Sequence, residues 1–181
     1  IKRKFTYALD FKSSEYLKFP WQNDGTSGIR PETIEFRFRS PVSKDMTILN
    51  KGEGNHSFAL QLRDNGNTDN RGFLQLAVSS SVGMQYVTSS LLPFYNDDMW
   101  SVMLSRKSSS GADLTSDANA QKVQYDLKTK QYDATRETIA FTYTTSSIAD
   151  GSTTSGSAFN QAITTAGTMF IGGDGNFGQP F

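Results

Sequence analysis

The run Asp64-Asn65-Gly66-Asn67-Thr68-Asp69-Asn70 crowds carboxylate and amide oxygens into one short stretch, and hard oxygen donors are what a calcium ion collects. Asp64, Asn67 and Asp69 are the candidate metal ligands there, with Asp174 the candidate from a later turn and Asp97, Asp98 and Asn176 as further contributors. The spacing is not that of an EF-hand, because Gly66 and Thr68 stand where ligands would be needed. Asn, Asp and Gly are also the ordinary residues of turns, so the run reads either as a calcium-binding rim or as a plain connection.

A sugar site asks for an aromatic face on which a pyranose can stack, beside a few amide or carboxylate groups. Trp21, followed by Gln22-Asn23-Asp24-Gly25, and Tyr95, followed by Asn96 and Asp97, meet that description. Trp21, Tyr95, Asn96 and Asp97 are therefore the candidate ligand contacts. Trp21, Phe94 and Tyr95 fit a plug at the edge of a core equally well.

Catalytic patterns are weaker. Glycoside hydrolysis needs two carboxyl groups facing one another, roughly 5 to 9.5 Å apart, whereas Glu32 and Glu35 have the wrong spacing on a strand and Asp97-Asp98 precede one. His56 is the single histidine and lies in a Gly- and Asn-rich loop without a nucleophile motif. Gly173-Asp174-Gly175-Asn176-Phe177-Gly178 has the spacing of a dinucleotide turn. Such a turn must open a helix, and Gln179-Pro180-Phe181 follows instead. Asn55-His56-Ser57 is a formal glycosylation triplet, meaningful only in a secreted eukaryotic setting. The residues point to no enzyme.

The elements that must position these groups are strands. In Ile34-Glu35-Phe36-Arg37-Phe38-Arg39, apolar and charged side chains alternate, so one face is core and the other is wet. The pattern returns in Phe58-Ala59-Leu60-Gln61-Leu62-Arg63 and Leu74-Gln75-Leu76-Ala77-Val78, predicting a hairpin with a long polar loop. Further strands are expected near residues 5–11, 16–19, 46–50, 84–87, 100–106, 123–127, 138–143 and 168–171. Residues 108–120 and 146–157 are poor in large apolar side chains and are expected to be loops. Ile34, Phe36, Phe38, Leu60, Leu62, Leu74, Leu76, Trp100, Val102 and Leu104 should share one core between two antiparallel sheets.

Composition sets the outer limits. The 181 residues suffice for one all-β domain and carry 18 basic and 18 acidic side chains, interspersed along the chain. That balance disfavours nucleic acid and anionic membranes as partners. With no cysteine, disulfides, thiolate zinc sites and cysteine nucleophiles are excluded. No apolar stretch approaches the roughly 20 residues that span a bilayer as a helix, so membrane insertion is not expected.

Three signatures in fixed order resemble the concanavalin-A-like lectin and glucanase superfamily, in its laminin-G-like form. They are Ala8-Leu9-Asp10-Phe11 leading into Glu15-Tyr16-Leu17-Lys18-Phe19, the strand Asp98-Met99-Trp100-Ser101-Val102-Met103-Leu104-Ser105-Arg106, and Met169-Phe170-Ile171-Gly172-Gly173-Asp174. The resemblance implies a two-sheet jelly roll over residues 1–181 and a buried Trp100. Many relatives hold calcium at the sandwich rim. The Glu-x-Asp-x-x-Glu strand of the glucanase members is absent from this sequence.

The resemblance further implies a non-catalytic binding or adhesion module, with a glycan or cell-surface group as ligand, in an extracellular or virion-surface protein such as a phage or viral fibre or capsid-decoration protein. A purely structural assembly domain that contacts neighbouring chains, and an accessory domain of a carbohydrate-active enzyme, are the competing expectations. The chain starts at Ile1 without Met and reads as an excerpt. One more strand is expected after Phe181, beside an N-terminal strand at residues 5–11.

Overall fold

The computed structural model describes residues 9, 11, 15–21, 33–52, 57–66, 69–80, 83–108, 123–133, 138–149 and 167–172. They form ten strands and no helix: β1 (Leu17–Trp21), β2 (Thr33–Phe38), β3 (Met46–Lys51), β4 (Ser57–Asp64), β5 (Gly72–Ser80), β6 (Gly83–Thr88), β7 (Met99–Ser108), β8 (Val123–Asp133), β9 (Thr138–Ala149) and β10 (Gly167–Ile171). No described helix is long and apolar enough to cross a membrane.

The strands pair into a six-stranded sheet, ordered β1-β10-β3-β4-β5-β6, and a four-stranded sheet, ordered β2-β7-β8-β9. All the pairings are antiparallel. Alternation explains why they face each other. In β4, Phe58, Leu60 and Leu62 are buried, and their β5 partners Val78, Leu76 and Leu74 are buried opposite them. Trp100, Val102 and Leu104 of β7 present the matching face from the second sheet, and both sets belong to one core. Each fully buried Leu or Val contributes on the order of 1.5 to 3 kcal/mol, so these rows hold the sandwich together. Ile34, Phe36 and Phe38, on the outermost strand β2, are half-buried against the same core.

Two departures from the sequence reading matter. Residues 146–149, expected as loop, continue β9, where they pair through Ser146↔Asp126 to Ala149↔Val123; Ser108 likewise closes β7. Backbone pairing to β8 does not need apolar side chains, and the Thr-rich approach to this segment suits an extended chain. Within the range 5–11 expected as a strand, Leu9 and Phe11 are not in one. The remaining residues there, and the segment after Gly172, lie outside the described residues.

Candidate functional site

Among the described residues, the expected ligand contacts divide between the two ends of the six-stranded sheet. Trp21 packs edge-on against Phe58, with ring centroids 5.9 Å apart, at the end of the six-stranded sheet where β4 begins. Tyr95 belongs to the opposite end, beside Gly72, which pairs with the last residue of β4.

At that opposite rim, three segments are fastened to one another. The N–H of Tyr95 donates to the carbonyl of Asn70 (3.2 Å), the N–H of Asp97 donates to the carbonyl of Ser40 (3.3 Å), and the Tyr95 hydroxyl donates to the carbonyl of Lys44 (2.8 Å). Tyr95 is buried, as is Phe94, whose ring sits 4.5 Å from Trp100 and 5.9 Å from Phe38. Tyr95 is thus corrected from a sugar-stacking candidate to a plug, because its ring lies in the core and its hydroxyl is already satisfied. Burial, reinforced by the nearby carboxylates of Asp64 and Asp45, pushes that hydroxyl's pKa well above the ordinary tyrosine value.

Asn96 and Asp97 are also engaged. Asn96 accepts from the N–H of Asp98 (3.1 Å) and donates to its carboxylate (2.9 Å), which Gln131 also reaches (2.7 Å). Asp97 adopts a left-handed backbone (φ 61°) and lies 3.7 Å from Arg39 in an exposed ion pair, a contact that contributes little in water.

The expected calcium loop behaves as a turn. One Asp64 carboxylate oxygen accepts from the N–H of Gly66 (3.3 Å), and Asp69 accepts from Arg71 N–H (3.2 Å) and the Asn65 amide (3.1 Å). Asp45, beside them, accepts from Asp64 N–H (2.7 Å) and pairs with Arg63 (3.3 Å). Among the described residues no three His, Cys, Asp or Glu side chains are grouped to hold a metal ion. Asp64 and Asp69 thus each turn a carboxylate oxygen to the loop's own N–H groups. Asn67 and Asp174, with His56 and Gly173 to Gly178, lie outside the described residues.

A different surface is open. The outer face of the four-stranded sheet carries an open trough of about 490 Å³ whose lining includes Glu35, Arg37, Ser101, Met103, Lys128 and Lys130. Register explains the grouping: Glu35 pairs with Met103 and Met103 with Lys128, while Arg37 pairs with Ser101 and Ser101 with Lys130. Each trio forms one row across β2, β7 and β8, on the face opposite the core. The short Ser101 and the half-buried Met103 leave the middle strand low, with longer charged side chains on both flanks. Sequence reading missed this site. Its signal was the outward alternation of Glu35 and Arg37, echoed by Lys128 and Lys130.

No protein-family model matches the sequence, and no curated protein matches it significantly.

Proposed function

We propose that this chain is a non-catalytic binding module that takes a glycan or cell-surface group in the trough across β2, β7 and β8. One observation carries the reading: the trough offers charged and hydroxyl groups that the fold leaves exposed or half-exposed, around a thioether floor of a size suited to a small ligand. The rim at Tyr95 spends its polar groups on internal bonds. We further propose that the sandwich is a concanavalin-A-like jelly roll of the laminin-G-like kind. In its support, β1 and β10, far apart in sequence, pair side by side, and Trp100 of the central signature is fully buried. Placement in an extracellular or virion-surface protein rests on the composition and on that resemblance.

The test is a glycan array probed with the chain and with Ser101→Trp, which fills the trough without touching the core face. Binding by the parent that Ser101→Trp abolishes, at an unchanged melting temperature, supports the site. Binding indifferent to Ser101→Trp would move it elsewhere.

A second reading, an assembly domain that contacts neighbouring chains, is favoured by large apolar side chains on the outermost described strands of the six-stranded sheet. Leu17 and Phe19 of β1 and Met84 and Tyr86 of β6 are exposed. Concentration-dependent sedimentation distinguishes it, since a module that acts alone stays monomeric.

A further inference from the structure

Resting on the reading that the trough takes a glycan, we infer that this glycan carries anionic groups, carboxylate or sulfate, and is not a neutral sugar. The chain as a whole is balanced at formal charge zero, yet the trough gathers Arg37, Lys128 and Lys130 against the single carboxylate of Glu35. Neighbouring strands lie ~4.8 Å apart and alternate residues ~7 Å apart. Arg37 and Lys130 therefore flank Ser101 across about 10 Å of sheet, with Lys128 one step along the strand.

Among the described residues, none of the three cations makes an ion pair or side-chain hydrogen bond. An anionic group centred over Ser101 would meet the ends of Arg37 and Lys130 together. Lys128 is half-buried, the burial expected of a lysine that lays its stem on the sheet and keeps its ammonium in water. Met103, between Glu35 and Lys128, supplies an apolar floor for the C–H face of a sugar ring. Glu35 admits a hydroxyl donor and repels a second anion, so the pattern suits a ring bearing both an acidic group and free hydroxyls. Three cations around a trough of about 490 Å³ match a few sugar units better than a nucleic-acid duplex, whose binding spreads over many phosphates.

The experiment measures binding of the whole chain to dextran sulfate, polygalacturonate, unmodified dextran and duplex DNA at fixed ionic strength. Retention of dextran sulfate or polygalacturonate, with dextran at least tenfold weaker, is expected, and the preferred polymer identifies sulfate or carboxylate as the group read. Arg37→Gln and the pair Lys128→Gln with Lys130→Gln should each weaken binding roughly tenfold or more, the scale of a lost charge-assisted hydrogen bond. Lys128→Arg with Lys130→Arg should keep it, and Glu35→Gln should tighten it. All these side chains are exposed or half-exposed, so the variants should melt with the parent. Dextran bound as tightly as its sulfated form, and lost with Ser101→Trp, would overturn the anionic inference while leaving the trough as the site. DNA bound as tightly as either charged glycan would reduce the affinity to bare charge and overturn it too. No binding to either charged glycan also overturns it, and the glycan array then decides separately whether the trough binds sugar at all.

Discussion

A methyl group placed on Gly72 would lie 2.7 Å from Cε2 of the Tyr95 ring. The same methyl would come within 2.5 Å of the Arg63 carbonyl oxygen, so there is no side on which it could be accommodated. Tyr95 can occupy the rim because residue 72 lacks a side chain, and from there its hydroxyl reaches Lys44 on a separate connection.

Gly72→Ala should therefore destabilise the chain by about 1 to 3 kcal/mol, the ordinary cost of overpacking a filled site. The double variant with Tyr95→Ala should lose less than the sum of the two single losses, since one of the two clashes disappears. Urea melts of the single and double variants measure the coupling; strictly additive losses would mean that the ring and the glycine do not interact.

Trp100→Ala should cost on the order of 3 to 5 kcal/mol, because the side chain is fully buried and leaves a cavity beside Phe94. Phe36→Ala should cost less, since Phe36 lies half-buried on the outermost strand β2. Denaturant midpoints give the order directly. Equal losses would place both rings at the same depth.

The chain should lose stability in alkali. Burial raises the pKa values of Tyr95 and Tyr125, an effect that Arg106 partly offsets at Tyr125. An unfolded tyrosine releases its proton near pH ~10, while the folded chain retains these two, so folding is favoured fully below that pH and progressively less above it. Tyrosinate absorbance in a pH titration should show part of the signal appearing only as the chain unfolds. If all seven tyrosines ionise together near pH ~10 in the folded chain, the burial of these two hydroxyls is wrong.

Calcium added to a chelated sample should leave the melting temperature unchanged, because Asp64 and Asp69 already serve the turn. A bound ion would instead stabilise the folded state by mass action. A rise of several degrees would bring in Asn67 or Asp174 as ligands.

The sandwich was legible wherever one face of a strand is apolar. Leu60 and Leu62 alternate with Ala59 and Gln61, and register then sets them opposite Leu76 and Leu74. The far half of β9 was not legible, because Ser and Thr pair through their backbones and leave no hydrophobic period to read. Tyr95 looked available in sequence, since nothing local announces that Gly72 and Lys44 enclose it. The trough depends on knowing that β2 and β8 flank β7. Arg37 and Lys130 are distant in sequence, and only register sets them on either side of Ser101.

In β3 the pairing shifts between Thr47 and Leu49, so Ile48 is surplus to the ladder with β4, as in a β-bulge. Its carbonyl accepts the N–H of Gly172 (3.0 Å). Gly172 has a left-handed backbone (φ 87°), and the Phe11 ring lies where its side chain would be. One extra residue thus joins β3 to the residue that follows β10, far along the chain. Closing so long a loop costs entropy before any contact repays it, so this joint is expected to form late in folding and to open early in unfolding. Phe11→Ala is accordingly expected to speed unfolding in stopped-flow measurements while leaving the folding rate almost unchanged.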